Sequence, residues 1–290
     1  MSDANWLSPE NLDPAKLAIE LAKAVSKSEA IKNYAKRTLD AILNGETQIA
    51  VLGAGGTGKS TFAHVITSDN PLHFDSTYES DIEQKNVQFP GKVSARLLVA
   101  PGQARYVSEV WPRIFDTLEK KKSLAIINLV AFGYHSFDLS SFEEFELFTP
   151  GMSEEKFLEA YLEQRRGIEL ERLHALKDGI SEVKRNVWMM TVVGKQDLWW
   201  SSREKVIKHY TDADGSEYAQ LLAEIENDLG ARGLAFSHHF VPVSHVVSNF
   251  LGPDGQILAP TSAGYDLDEH IKHLYNLTRR FNDLLEGKKL

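Results

Sequence analysis

The stretch AVLGAGGTGKSTF, residues 50–62, decides how this sequence is interpreted. An apolar run is followed by four glycines within six positions and then by a lysine and two hydroxyl residues. Glycines allow consecutive backbone N–H groups to turn inward around phosphate oxygens, and a following helix presents its N-terminus to the same anion. A glycine hinge is the alternative, but it leaves the lysine and the serine unexplained. The stretch therefore predicts a phosphate-binding loop.

The loop fits the pattern G-x-x-x-x-G-K-[ST], with an apolar strand before it and a helix predicted from about Lys59. Lys59 is expected to reach the outer two phosphates, and the Ser60 hydroxyl is expected to ligate Mg²⁺. The residues of this loop that we predict to bind phosphate are Gly53, Gly55, Gly56, Thr57, Gly58, Lys59, Ser60 and Thr61.

The composition limits the class of protein. Of the 290 residues, 42% are apolar, so a substantial core is expected. The net charge of −9, from 32 basic and 41 acidic residues, argues against a broad nucleic-acid-binding or anionic-membrane surface. The absence of cysteine excludes disulfides, thiolate nucleophiles and cysteine-ligated metal sites. No apolar stretch approaches the roughly 20 residues that span a bilayer, and the N-terminus lacks the apolar core of a secretory signal, so we expect a cytoplasmic protein.

The order of the predicted elements indicates one α/β domain, residues 47–290, preceded by a helical extension, residues 1–46. Short apolar strands alternate with helical stretches, which predicts a mostly parallel central sheet with helices on both faces. An unusually long connection predicts a helical insert at about 134–185, which is either a longer crossover helix with a surface loop or a partner-binding insert. Strands are predicted at 49–53, 85–89, 93–100, 123–132, 186–194 and 239–244. The strands at 85–89 and 93–100 are expected to form a hairpin. The last helix is predicted at about 266–285.

Three further motifs follow the loop, each at the end of a predicted strand: APGQARY (100–106), GKQD (194–197) and VPVSH (241–245). In this order they resemble the Ras-like small GTPase superfamily, whose patterns are GxxxxGK[ST], DxxGQ, [NT]KxD and a final SA[KL]-like turn. The eight residues GAGGTGKS are very close to the Ras loop itself, and we interpret the chain as a divergent, bacterial-type member. The resemblance covers residues 48–285 and implies a P-loop GTPase fold, with GTP or GDP as ligand and Mg²⁺ as cofactor.

The GKQD motif predicts that the base is guanine. A carboxylate at Asp197 can accept hydrogen bonds from both N1–H and the exocyclic amine of guanine, whereas adenine lacks that donor pair and would leave a buried acceptor unpaired. Lys195 is expected to lie along the base plane, and Ser244 and His245 to support the base from the last loop. Because the family has alanine at the position of His245, only its backbone N–H is carried over. A polar turn at a strand end is the alternative.

The sequence departs from the family at the second motif, where Val99 aligns with the DxxG aspartate. That aspartate normally holds Mg²⁺ through a coordinated water, so we expect weaker Mg²⁺ binding and slow hydrolysis. Gly102 keeps an N–H for the γ-phosphate, and Gln103 is the candidate catalytic residue that orients the attacking water, with an exposed loop glutamine as the alternative. Gly194 replaces the usual Asn or Thr and removes a side-chain contact to the phosphate loop.

The resemblance also implies a second direct magnesium ligand, a switch threonine between the first helix and the second strand. Thr77 is our choice, with Thr67 and Ser76 as competitors, so the predicted metal ligands are Ser60 and Thr77.

Three functions are compatible with these motifs. The first is a guanine-nucleotide-binding switch that binds GTP or GDP with Mg²⁺, hydrolyses GTP slowly and regulates a protein effector or regulator. The second is a pseudo-GTPase, an interaction module that binds nucleotide without turnover, which Val99 favours. The third is a P-loop kinase, for which the sequence offers neither an acceptor site nor an arginine-rich lid. Self-association through the N-terminal helices or the insert is a further expectation.

Overall fold

The computed structural model describes residues 48–67, 82–89, 93–118 and 123–285. The predicted helical extension, residues 1–46, lies outside them.

A six-stranded sheet forms the centre of the molecule, and a two-stranded sheet lies beside it. The strands are β1 (Gln48–Gly53), β2 (Glu83–Phe89), β3 (Val93–Val99), β4 (Ser123–Val130), β5 (Asn186–Val193), β6 (Phe236–Pro242), β7 (Phe250–Leu251) and β8 (Ile257–Ala259). Their order across the central sheet is β2-β3-β1-β4-β5-β6. Strands β2 and β3 pair antiparallel, as predicted for a hairpin, and the other neighbours pair parallel.

Helices connect the parallel strands, as this topology requires. They are α1 (Lys59–Thr67), α2 (Ala104–Leu118), α3 (Glu154–Ser181), α4 (Gln196–Trp199), α5 (Arg203–Thr211), α6 (Glu217–Ala231) and α7 (Leu267–Leu285). None of these described helices is long and apolar enough to cross a bilayer.

The core lies on both faces of the sheet because successive strand residues point to opposite sides. On one face, Ala50 and Leu52 of β1 belong to an apolar cluster that includes residues of α2, α3 and α6. On the other face, Ile49 and Val51 belong to a cluster with Phe62 of α1 and residues of α7. The central strands are therefore buried on both sides, which explains why they read as continuous apolar runs. The predicted fold class, a P-loop GTPase fold with a mostly parallel sheet, is confirmed.

Strand β6 differs from its prediction because it begins at Phe236 rather than at His239. Among the described residues it pairs with β5 alone, so it is an edge strand of the central sheet. An edge strand does not need an apolar residue at every position, so the polar residues Ser237 and His238 near the start of β6 leave no continuous apolar run there.

Helix α3 runs as one helix through the second half of the predicted insert. Ser153 caps its first turn by accepting a hydrogen bond from the Lys156 N–H at 3.4 Å. Its buried side chains Leu173, Leu176 and Ile180 join the core on the face shared with α2 and α6. The helix thus forms the crossover between the parallel strands β4 and β5 and is part of the main core.

The segment before α3 carries many aromatic residues and forms a second, smaller core. Phe145, Phe157, Tyr161 and Phe250 are buried in this cluster, together with Leu198. This cluster joins the segment after β4, the start of α3 and the β7–β8 hairpin.

Candidate nucleotide-binding site

The carboxyl ends of the parallel strands meet at one edge of the sheet, which is where α/β proteins usually bind ligands. A cavity of about 430 Å³ opens at this edge. Its lining comes from the loop after β1, the segment after β4, the GKQD turn after β5 and the loop after β6. Its lining residues include Thr57, Gly58, Ser136, Lys195, Asp197 and Ser248.

The loop after β1 has the backbone that its glycines predict. Gly56 and Gly58 have φ angles of 76° and 96°, in a backbone region that residues other than glycine rarely adopt. The Gly58 carbonyl accepts the Phe62 N–H at 2.8 Å, the first hydrogen bond of α1. Thr57 is buried, and its hydroxyl donates to the Ala54 carbonyl at 3.0 Å, which fixes the loop between strand and helix.

Lys59 folds back onto the loop that precedes it. Its Nζ donates to the carbonyl oxygens of Gly53 and Ala54 at 3.0 and 2.7 Å, and the side chain is buried. Burial, together with the charge of Arg172, lowers the pKa of Lys59 to about 7. Among the described residues, the hydrogen bonds of this ammonium go to neutral carbonyls, and a phosphate in the loop would supply a counter-charge.

The segment after β3 lies directly on the phosphate loop. The Gly102 carbonyl accepts the Gly55 N–H at 3.1 Å. A Cβ on Gly102 would lie 2.3 Å from Lys59 Nζ and 2.4 Å from the Ala54 carbonyl carbon, so only glycine fits. Gln103 follows at the same place, its Cγ 4.0 Å from the point where a Cβ on Gly55 would be. The structure thus brings Gly102 beside the lysine and Gln103 beside Gly55 of the phosphate loop.

Val99 is buried in the apolar cluster on the α1 face of the sheet. It is 4% exposed, lies opposite Val51 in the parallel pair of β1 and β3, and shares its cluster with Phe62. This position therefore offers no carboxylate to a metal ion, and its surroundings are apolar.

Of the two predicted magnesium ligands, Ser60 and Thr77, only Ser60 lies among the described residues. Ser60 lies beside Lys59 in the first turn of α1, whereas Thr77 and its competitor Ser76 lie outside the described residues. Thr67, the other competitor, is the last residue of α1 and lies about 10 Å along the axis from Ser60. Among the described residues, no cluster of three acidic or histidine side chains could hold a metal ion. These residues fit a Mg²⁺ held mainly by nucleotide phosphates and by Ser60.

Asp197 is buried at the start of α4, yet it faces the cavity. Its Oδ1 accepts the Ser244 hydroxyl at 2.6 Å, and its Oδ2 accepts the backbone N–H of Ser248 at 3.0 Å. Burial raises the pKa of Asp197 to about 6, and these hydrogen bonds oppose the shift. Two of the predicted guanine-binding residues, Asp197 and Ser244, are therefore in direct contact.

Lys195 lies between the phosphate loop and the aromatic cluster. Its backbone is left-handed, with φ 55°, and its Nζ donates to the Ser136 hydroxyl at 3.1 Å and lies 5.5 Å from the centre of the Phe250 ring. Burial lowers the pKa of Lys195 to about 8, against the opposing charge of Asp197. Lys195 borders the same cavity as Asp197.

His245 also lines the cavity, and its ring packs against Phe62 of α1 with 5.4 Å between ring centres. Burial, aided by the charge of His270, lowers the pKa of His245 to about 4, so the ring is neutral at pH 7. Base contact through the backbone N–H of His245 stays a prediction.

Other bonds hold the GKQD turn in place of the missing Asn or Thr side chain at Gly194. The Gly194 N–H donates to the Val130 carbonyl at 2.7 Å, and the buried Trp199 donates from Nε1 to the Gly194 carbonyl at 2.8 Å. A Cβ at Gly194 would lie 3.5 Å from the Thr57 carbonyl, so the turn still touches the phosphate loop.

Among the cavity residues that the sequence analysis does not predict are Ser136, Ser248 and Phe250. Ser136 follows a buried strand at the ligand-binding edge, and that position is the signal that could have identified it. Ser248 contacts Asp197 through its backbone, so its side chain carries no signal. Phe250 belongs to a two-residue strand, which is too short to show a pattern.

The four motifs occupy one edge of one sheet in a fixed order. The phosphate loop follows the central strand β1, the GQ motif follows β3, and the GKQD and SH motifs follow β5 and β6. The described residues have the P-loop GTPase fold.

Comparison with protein-family models finds no match, and comparison with curated proteins finds none. Among solved structures, the mammalian SRP receptor is 11% identical, with 81% of this chain and 99% of that chain covered and a TM-score of 0.40. An ADP-ribosylation-factor-like GTPase, the small COPII coat GTPase Sar1 of Encephalitozoon cuniculi in complex with GDP, is 13% identical, with coverage of 94% and 97% and a TM-score of 0.37. Toc33 of Arabidopsis thaliana, in complex with Mg²⁺ and GMPPNP, is 10% identical, with coverage of 98% of each chain and a TM-score of 0.41.

Proposed function

We propose that this chain is a guanine-nucleotide-binding switch protein, which binds GTP or GDP with Mg²⁺, hydrolyses GTP slowly and regulates a protein partner. One observation carries the proposal. The buried carboxylate of Asp197 and the phosphate loop residues Thr57 and Gly58 line the same cavity. An acceptor for a purine base and a cradle for its phosphates are thus available to one ligand.

The acceptor capacity of Asp197 supports guanine over adenine. An ionised carboxylate offers about four lone-pair sites, and hydrogen bonds from Ser244 and Ser248 occupy two of them. The remaining capacity suits the N1–H and amino group of guanine. Adenine presents no such pair of donors on that edge, so its binding would leave a desolvated carboxylate unsatisfied, which costs several kcal/mol.

The charge distribution suits the phosphates. Lys59 and the N-terminus of α1 are the positive groups at the loop, and Ser60 begins the same helix. A phosphate would replace the carbonyl oxygens of Gly53 and Ala54 as the partner of the Lys59 ammonium. When bound, Mg²⁺ would neutralise charge on the outer phosphates.

Hydrolysis is assigned to a water molecule that attacks the γ-phosphorus while the bond to the β–γ bridging oxygen breaks, which yields GDP and phosphate. Gln103 is proposed to orient that water, since its segment lies against the phosphate loop beside Lys59. We expect slow turnover because Val99 is apolar and buried where the family carries an aspartate. The switch itself would be the segment at Gly102, whose contact with Gly55 must change when a γ-phosphate enters.

Val99 also favours a second candidate, a pseudo-GTPase that binds nucleotide structurally. Nucleotide affinities test what both candidates share: GDP should bind at least 100-fold more tightly than ADP. Comparable affinity for the two, or no binding of guanine nucleotides, would exclude both.

Single-turnover hydrolysis of bound GTP then separates the two candidates. Slow release of phosphate that Gln103→Leu abolishes supports the switch, whereas retention of intact GTP by the native protein supports the pseudo-GTPase. Hydrogen exchange measured with GDP and with a non-hydrolysable GTP analogue tests the switch segment, and identical protection of residues 100–106 in both states would contradict regulation through it.

A further inference from the structure

The segment after β4, residues 131–137, lies between the two halves of the candidate site; we call it the β4 loop. The Ser136 N–H donates to the Gly56 carbonyl of the phosphate loop at 3.0 Å. Its hydroxyl accepts a hydrogen bond from Lys195 Nζ of the GKQD turn at 3.1 Å. A Cβ on Gly56 would lie 2.7 Å from the Ser136 nitrogen, so the two segments touch without a gap. One exposed serine therefore joins the phosphate end of the site to the base end.

This link takes the place of one that the sequence lacks. At Gly194 the family has Asn or Thr, whose side chain ties the base loop to the phosphate loop, and glycine cannot make that contact. Ser136 supplies a tie between the same two segments, and it does so from a different strand. The position of the β4 loop consequently affects both segments at once.

The β4 loop has a backbone that needs support from its surroundings. Phe132 has a φ angle of 50°, which is uncommon for a large side chain, and Gly133 has a φ angle of 86°. A Cβ on Gly133 would lie 2.3 Å from the Leu162 carbonyl oxygen of α3, so the loop is pressed against that helix. Backbone of this kind persists only where neighbouring groups fix it.

Glu169 of α3 supplies that support. It is 1% exposed, and its Oε1 accepts hydrogen bonds from the N–H groups of Ala131 at 2.8 Å and Gly133 at 3.3 Å, and from His135 Nε2 at 2.8 Å. Its Oε2 accepts the hydroxyl of Tyr210 at 2.6 Å. Each of these donors either belongs to the β4 loop or contacts it.

Two tyrosines complete the support. The Tyr210 hydroxyl, besides donating to Glu169, accepts the Phe132 N–H at 3.0 Å, so it fixes the residue with the unusual backbone. The Tyr161 hydroxyl donates to the His135 carbonyl at 3.0 Å. Burial opposes the charge of Glu169, but the hydrogen bonds that it accepts, the one from His135 foremost, more than offset this and hold the pKa of the carboxyl below its usual range. The carboxylate is therefore ionised and fully engaged.

We propose that Glu169 is a positioning residue for bound nucleotide: it fixes the β4 loop so that Ser136 ties the phosphate loop to Lys195, and this tie slows nucleotide release. The proposal rests on the proposed function, since it concerns the lifetime of the nucleotide in that site. Helix α3, which contributes no residue to the cavity lining, would thus control how long the nucleotide stays bound.

The rate at which a fluorescent GDP derivative dissociates, measured by chasing with excess GDP, tests this role. Ser136→Ala should raise the rate about 3- to 10-fold and Glu169→Gln about 10-fold or more. The double variant should be no faster than Glu169→Gln alone, because both changes break one path and effects along one path are not additive. Tyr210→Phe, which removes a donor to Glu169, should also accelerate release.

Tyr218→Phe is the matched control. Tyr218 is buried beside Tyr210, with 4.8 Å between ring centres, and its hydroxyl accepts a hydrogen bond from Asn128 rather than from the β4 loop. This variant should lower the unfolding temperature and leave the dissociation rate unchanged. A Glu169→Gln protein that loses thermal stability but releases GDP at the native rate would overturn the proposal, as would additive effects of the two changes.

The outcomes separate this proposal from the function on which it rests. If the native protein retains no guanine nucleotide, the proposed function fails. If it retains GDP and Ser136→Ala releases GDP at the native rate, the positioning role alone fails. Because Ser136 is exposed, its variant keeps the test available even if Glu169→Gln does not fold.

Discussion

Asp197→Asn is the substitution that tests base recognition most directly. The carboxylate of Asp197 is 1% exposed and accepts hydrogen bonds from the Ser244 hydroxyl and the Ser248 N–H. An asparagine keeps the shape but replaces one oxygen by an NH₂ group and removes the charge. The NH₂ group then faces a donor, either from one of these serines or from guanine.

The size of the effect follows from the hydrogen bonds that are lost. A hydrogen bond to a charged group contributes about 1.5–3 kcal/mol, and guanine is expected to make two of them to Asp197. With about 3–6 kcal/mol lost and about 1.4 kcal/mol for each factor of ten, the affinity for GDP should fall roughly 10²- to 10⁴-fold. Xanthine carries an oxygen where guanine has its amino group, and that oxygen can accept from the asparagine NH₂. Affinity for XDP should therefore rise as affinity for GDP falls.

Titration calorimetry with GDP, XDP and ADP measures these changes. Asp254→Asn serves as the control, because Asp254 is exposed on the β7–β8 hairpin and accepts the Gln256 N–H at 3.0 Å, a bond that an amide oxygen also accepts. Its affinity for GDP should match that of the native protein. Equal losses for GDP and XDP in Asp197→Asn would mean that the site has merely been damaged, and unchanged affinity for GDP would refute base recognition by this residue.

Three further predictions concern pH and the phosphate loop. Because the pKa of Asp197 is raised to about 6, its carboxylate is protonated below that pH. Calorimetry should therefore show the affinity for GDP falling by up to about tenfold per pH unit below pH 6. The Asp197→Asn protein should lack this dependence. Because the pKa of Lys59 is lowered to about 7, this side chain is neutral above pH 7 in the protein without nucleotide. The affinity for GDP should therefore fall as the pH rises above 7. Binding in that range should take up a proton, which calorimetry detects as a binding enthalpy that depends on the buffer. Gly56→Ala and Gly58→Ala both place a side chain at positive φ, which costs about 1–2 kcal/mol, but only at Gly56 would the Cβ meet backbone atoms of Ser136, at 2.7 and 2.8 Å. Thermal unfolding without nucleotide should therefore show the larger loss for Gly56→Ala, and equal losses would contradict the close contact with the β4 loop.

The sequence predicts the fold well where local chemistry and burial agree. Strands β4 and β5 are mostly apolar because helices cover both faces of the sheet, and the loop between β1 and α1 has a composition that few other structures require. These features place the phosphate loop and the GKQD turn at one edge without further information. The start of β6 was missed because its edge position permits polar residues at Ser237 and His238.

The rest of the candidate site depends on tertiary contacts that leave no local pattern. Ser136 acquires its role from the path of the β4 loop across Gly56, and that path is fixed by a glutamate 33 positions further along the chain. Ser248 contributes a backbone N–H, which any residue could supply. Neither the spacing nor the type of these residues would single them out before the fold is known.

Two buried carboxylates in this molecule, those of Glu169 and Asp197, differ in how many hydrogen-bond donors the protein provides for them. Each is 1% exposed, so burial opposes the charge of each, but they meet this cost differently. Among the described residues, Glu169 accepts hydrogen bonds from Ala131, Gly133, His135 and Tyr210, and its pKa lies below the usual range. Asp197 accepts bonds from only two other described residues and has its pKa raised to about 6, although it lines a cavity. A carboxylate whose donors are complete fixes the fold, whereas one with acceptor capacity left toward a cavity is poised for a ligand that brings its own donors.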